Sequence, residues 1–314
     1  MFHYRLFMVF IFSIFLGLFN SAHATLNFQK LAIYYSRQDN VYWLAMLAIN
    51  PDYQNPQMDT LAEHAIKIVT KNETEHVIPA TKLTIIPLGQ MNYRAASQYT
   101  LFRVNLIIDN SSSISDANLD KVHNVLERFI KRLPVAFEGQ IIHFSDDVQK
   151  LPFTKDKNTL INQIKQPYQR SGTALYDAVA AGVQELQFSD PKIPLKFSVV
   201  FTDGEDTASK RFQSSQSFID YITRETSKAQ IPLFAVGVGG ADEQVLTNIT
   251  KYGMYLHSNA FPDIDRAFDT LNRVINDTYL VKIPAVSSLD QIECIYLMKR
   301  GLSSKYSLVQ DFCN

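Results

Sequence analysis

Asp109, Ser111 and Ser113 stand at alternate positions in Asp109-Asn110-Ser111-Ser112-Ser113, directly after the mostly apolar run 104–108. Residues two apart in an extended segment point to the same side. A chain leaving a strand at Asp109 in a near-extended loop therefore presents one carboxylate and two hydroxyls to a common point. The donors are all hard oxygens, suited to Mg²⁺ or Mn²⁺ rather than to a soft metal. Hydroxyls do not neutralise a dication, so a metal held this way stays electron-poor and draws an anionic oxygen from elsewhere. Two more segments carry the same chemistry. Gly172-Thr173 adds a hydroxyl ahead of an apolar helical pattern, and Thr202-Asp203-Gly204 adds a second carboxylate after another apolar run. The plainer role for Ser111 and Ser113 is to cap the helix that follows.

The elements that must position these groups can be read from periodicity. The run 101–108 is apolar on both faces at its end, as in a parallel central strand. Ser115 or Asp116 can cap a helix, on which Val122, Val125, Leu126, Phe129, Ile130 and Leu133 recur at three and four. Further strands are expected over 140–144, 148–153, 195–202 and 231–238, with an edge strand over 252–257. Helices are expected over 159–164, 174–186, 217–229, 242–250 and 264–275. Such alternation predicts an α/β fold, a doubly wound and mostly parallel sheet with helices on both faces. In such sheets ligands bind beyond the carboxyl ends of the strands, near the switch in strand order. Asp109 and Asp203 both fall at strand ends, and Thr173 falls just before a helix.

Over roughly 101–278 the chain resembles von Willebrand factor type A domains with their metal-ion-dependent adhesion site. The likeness rests on the D-x-S-x-S of Asp109 to Ser113, on Ser171-Gly172-Thr173-Ala174-Leu175-Tyr176-Asp177-Ala178, on Val199-Val200-Phe201-Thr202-Asp203-Gly204 and on the strand 232–239. It implies a metal site made of Asp109, Ser111, Ser113, Thr173 and Asp203, holding Mg²⁺ or Mn²⁺. It implies a protein partner whose Asp or Glu completes the coordination. Ser112 departs from the glycine that many members carry, which stiffens the loop and spares the ligand pattern.

Outside that core, 25–97 reads as short strands with turns, a small β-rich region in which Trp43 is the expected core anchor. The tail 281–314 holds two further candidate strands, 292–298 and 306–309, and is expected to return to the region before Leu101. The domain boundaries expected are thus 1–24, 25–97, 98–280 and 281–314. The first of these has a basic start, an apolar run over 6–19 and small residues at Ala22 and Ala24, the layout of a secretory signal peptide cleaved after Ala24. Export to a periplasm or to the cell exterior follows, with no membrane span in the mature chain. The only cysteines, Cys294 and Cys313, lie together near the end. In an oxidising compartment they are expected to pair.

A formal net charge of -1 gives no support for nucleic-acid or anionic-membrane binding. Asp146 and Asp147 read as a hairpin turn, or else as extra ligands. Asp177 sits one turn into a helix beside the metal loop, and Glu205 and Asp206 line its rim. His143 and His257 lie in no ligand-spaced pair, and no G-x-S-x-G or G-x-x-x-x-G-K occurs. The expected function is a metal-dependent protein-binding module and not an enzyme. The alternative is a metal-dependent hydrolase using the same site, which needs a general base beside the metal.

Overall fold

The computed structural model describes residues 27–36, 39–49, 64–90, 100–190, 192–300 and 306–313. The expected signal segment 1–24 lies outside them. Among the described residues no helix is long and apolar enough to cross a membrane.

The centre is a six-stranded sheet. Its strands are β6 (Phe102–Asp109), β7 (Phe137–Phe144), β8 (Val148–Lys150), β9 (Leu195–Thr202), β10 (Leu233–Val238) and β11 (Met254–Ser258), in the order β11-β10-β9-β6-β7-β8. All neighbours are parallel except β7 and β8. The last six residues of β6, β7 and β9 are all buried, because helices cover both faces. On one face α1 (Asp116–Arg132), α2 (Lys157–Ile164) and α6 (Ile264–Asn276) pack with Leu106 and Ile108. On the other, α3 (Leu175–Gln187), α4 (Ser215–Ala229) and α5 (Glu243–Ile249) pack with Ile107 and Val200. The doubly wound α/β reading holds. From β6 the chain crosses to β7 on one side and later to β9 on the other, so the strand order switches at β6 and β9.

Several element ends differ from the periodicity by two or three residues, and two of them have a visible cause. The strand expected over 148–153 stops at Lys150, where Pro152 removes a ladder donor. The strand expected from residue 252 starts at Met254. Gly253 before it lies against β10, and a Cβ there would stand 1.8 Å from Leu233 O.

Eight further strands flank this unit: β1 (Asn27–Ser36), β2 (Val41–Ile49), β3 (His64–Thr70), β4 (Glu75–Pro79), β5 (Thr84–Pro87), β12 (Thr278–Pro284), β13 (Ile292–Arg300) and β14 (Tyr306–Asp311). They form two four-stranded sheets, ordered β1-β2-β12-β5 and β14-β13-β3-β4. Both combine strands from before and after the central unit. Tyr42, Leu44, Ile66, Ile68, Val281, Ile295 and Phe312 fill the space between them, as in a sandwich. Trp43 is not in that core. It is half-buried, packs toward the central unit, and lies next to Lys282, whose Nζ is 5.7 Å from the ring centroid. Alternation along β2 explains this, since Tyr42 and Leu44 take the inward face. Cys294 and Cys313 are joined by a disulfide.

Candidate metal centre

Asp109 is the last residue of β6, and Thr202 ends β9 beside it, one step beyond the Ile108–Phe201 register pair. The switch point therefore sets the two strand ends side by side. Asp109 is fully buried, and its two carboxylate oxygens are held separately. Oδ1 accepts the Ser111 N–H at 2.8 Å and Oδ2 accepts the Thr202 hydroxyl at 2.6 Å. Ser111 Oγ lies 2.8 Å from Ser113 Oγ, and Ser113 Oγ donates to Asp203 Oδ1 at 2.7 Å. Asp109, Ser111, Ser113 and Asp203 thus form one connected cluster running from the buried floor to the surface. Ser111 and Ser113 do not cap α1; Ser115 does, accepting from Asn118 N.

Thr173 is brought to the same place by a different route. It is buried, its N–H donates to Thr207 Oγ1 at 3.0 Å, and its carbonyl accepts from Thr207 N and Ala208 N. A Cβ on Gly204, next to Asp203, would lie 4.0 Å from Thr173 Oγ1. Thr173 makes no hydrogen bond to the other four in the described set.

Burial drives the electrostatics. Desolvation pushes the Asp109 carboxyl up to about 6, against the stabilising hydrogen bonds from Ser111 and Thr202. Burial also raises Asp203, with the Ser113 hydroxyl and the Arg170 charge pulling the other way. Two carboxylates that are disfavoured as anions by desolvation share one cluster with hydroxyls. A dication fits such a set, because it supplies the charge that burial takes away. Among the described residues no group of three or more His, Cys, Asp or Glu side chains is disposed to hold a metal. The candidate centre is of the hydroxyl-rich, hard-oxygen kind.

The neighbouring acids serve the frame. Helix α3 begins without a side-chain cap of its own at Ala174. Asp206 Oδ1 supplies one from outside, accepting from Tyr176 N at 3.0 Å. Asp177 returns the bond, accepting from Lys210 N and Arg211 N. The loop carrying Asp203 is thereby tied to the helix that Thr173 precedes. Asp147 O accepts from Ser145 N in the β7–β8 hairpin, and Asp146 Oδ1 accepts from Ser145 Oγ. His143 is buried beside the loop 109–113 with both ring nitrogens engaged. Nδ1 accepts from the Asn110 amide at 2.8 Å, and Nε2 donates to Gln163 O at 2.9 Å. That arrangement leaves it no lone pair for general-base work. His257 Nδ1 is occupied by Tyr255 Oη at 3.0 Å.

Sequence reasoning did not single out Thr202 or Arg170. Arg170 pairs with Asp116, and its Nη2 donates to Ser111 O at 3.1 Å. Thr202 stands next to Asp203, yet its role depends on which strand lies beside β6, and sequence spacing does not carry that.

A family model for the von Willebrand factor type A domain matches residues 104–273. Matrilin-4 of Mus musculus is 27% identical over 187 residues, 55% of this chain and 28% of its own length. The chain thus spans less than a third of that curated relative. Among solved structures, proximal thread matrix protein 1 from the mussel byssus, with a zinc-occupied MIDAS motif, is similar at a TM-score of 0.51. It is 18% identical, with 67% of this chain and 51% of that one covered. A von Willebrand factor type A protein from Catenulispora acidiphila is similar at 0.49 and 8% identity, over 94% of this chain and 74% of that one. At 18% identity the likeness to the mussel protein speaks for the fold alone.

Proposed function

The chain belongs to the von Willebrand factor type A domain family, and on that footing we propose that it is an exported, metal-dependent protein-binding module. Asp109, Ser111, Ser113, Thr173 and Asp203 would hold Mg²⁺ or Mn²⁺, and a partner Asp or Glu would complete the coordination. The observation that carries this reading is the hydrogen-bonded set Asp109–Ser111–Ser113–Asp203 at the switch point of the sheet. Bound there, the metal supplies an electron-poor acceptor for a carboxylate. The chain's own residues do the rest: Thr202 fixes the buried carboxylate, and the loop that carries the second one is bonded to Thr173 through Thr207 and Ala208.

The protein is a binding module and not an enzyme. The central unit 98–280 is the part that binds, and 25–97 with 281–314 form its support. Zinc belongs in any metal panel, since the mussel protein's MIDAS motif takes it.

The test is capture from native extracytoplasmic extract. The protein should retain a partner in Mg²⁺ or Mn²⁺ and release it in chelator, and Asp109→Ala should retain nothing. Capture that persists in chelator and in Asp109→Ala would sink the reading. Export has its own measurement. The intact mass of protein from an extracytoplasmic compartment should match a chain starting at Thr25 and lacking two hydrogens for Cys294–Cys313. A retained Met1 overturns cleavage, and two alkylatable thiols overturn the bridge.

A further inference from the structure

Ser112 sits in the middle of the metal loop and supplies none of the five proposed donors. Its backbone N–H and its hydroxyl both donate to Ser171 O, each at 2.9 Å. Beside it, Arg170 Nη2 donates to Ser111 O at 3.1 Å while Nη1 is held by Asp116. Arg170 Nε–H is buried with no hydrogen-bond partner among the described residues. The guanidinium is therefore placed by its two outer nitrogens. Three hydrogen bonds join the loop of Asp109, Ser111 and Ser113 to the segment that leads into Thr173, 59 residues on.

Resting on the metal-binding reading above, we propose that Ser112 and Arg170 are positioning residues: a clasp that sets the two ligand-bearing segments against each other before a cation arrives. The other joints of the site are already closed. Thr207 and Ala208 bond the Asp203 loop to Thr173, and Ser113 and Thr202 bond β9's end to the first loop. The Ser112–Ser171 and Arg170–Ser111 bonds close the remaining side. Ligands held in place in advance lose less freedom when they bind. The hydroxyl of Ser112 is the part of this clasp that a glycine or alanine cannot supply. Glycine would also loosen the backbone of the loop.

Ser112 is exposed, so its variants should fold, and they carry the test. Arg170→Ala removes a positive charge as well as a bond, which mixes two opposite effects on a cation. The full chain is titrated calorimetrically with Mn²⁺ and with Mg²⁺, and amide exchange is followed by mass spectrometry in chelator. Ser112→Ala should bind metal about 10-fold more weakly, as removal of an outer partner of a metal site does. It should also speed exchange in both 109–115 and 169–175. Ser112→Thr keeps the hydroxyl and should keep wild-type behaviour in both measurements. Wild-type affinity in Ser112→Ala, unchanged exchange over 169–175, or a Ser112→Thr variant that behaves like Ser112→Ala each overturns the clasp. The two readings fail separately. A wild type that takes no more metal than Asp109→Ala removes the metal-binding reading. Exchange in chelator then decides the clasp alone, by the same two outcomes over 169–175.

Discussion

Thr202 Oγ1 donates to Asp109 Oδ2 at 2.6 Å, from one parallel strand end to its neighbour. The acceptor is a fully buried carboxylate whose ionisation desolvation opposes. Thr202→Val keeps the shape and removes the hydroxyl, which also accepts a longer bond from Gly204 N at 3.3 Å. In chelator it should cost about 1–3 kcal/mol, the usual penalty for leaving a buried polar group unpaired. Urea denaturation at neutral pH reads it. A wild-type midpoint would show that the bond does not hold Asp109.

Metal should appear as stability. Bound only by the folded chain, it adds RT ln(1 + [L]/Kd), about 2.7 kcal/mol at roughly 100 times Kd. Asp109→Ala should abolish the response to Mg²⁺ and Mn²⁺ in a thermal melt. In chelator the same variant should be no less stable than wild type, because a desolvated anion beside Asp203 has been removed. Equal metal responses in wild type, Asp109→Ala and Asp203→Ala would place any bound cation elsewhere.

His143 gives a pH dependence. Burial holds its imidazole below the ordinary histidine range, with Gln163 O pulling up and His123 adding to the depression. Below about 6.5 the unfolded chain takes a proton that the native one still refuses. The stability His143 contributes is therefore lost as pH falls through that value. Asp109 works the other way, since its native value of about 6 lies above the unfolded one. The histidine is isolated as the difference between wild type and His143→Gln in chelator. The cost of that substitution should be largest near about pH 7.5 and shrink toward about pH 5. A cost that is flat with pH would mean that folding leaves the proton affinity of His143 unchanged, and a cost that grows toward low pH would mean that the fold favours the charged ring.

Gly253 tests the edge of the central sheet. A Cβ there would stand 1.8 Å from Leu233 O and 2.6 Å from Leu233 C, both backbone atoms that cannot turn aside. Gly253→Ala must push β11 off β10 and should cost about 1–3 kcal/mol. Chemical denaturation checks it, with exchange over 254–258 as the local readout. An unchanged midpoint with unchanged exchange would refute the close approach.

The alternation of strands and helices and the placement of Asp109 after an apolar strand were legible because period and burial are written residue by residue. The apolar face of α1 could be read in the same way. Thr202 was not, because its role depends on β9 lying next to β6 after a crossover. Arg170 was not, because its partners Asp116 and Ser111 are close only in space. The cap of α3 was missed for the same reason, as Asp206 supplies it from another loop. Trp43 was expected to be the core anchor of the small β-rich region. Its place on the opposite face follows from a register that the short alternation did not fix.

The chain passes into the central unit after β5 and leaves it into β12, and these two strands are hydrogen-bonded neighbours over four residue pairs. The proposed metal face lies at the carboxyl end of β6. A partner tugging on that face would load two covalent connections side by side rather than a single tether. One of them, β12, is gripped by β2 on one flank and β5 on the other. Tension would therefore be spread over rows of bonds inside a sheet.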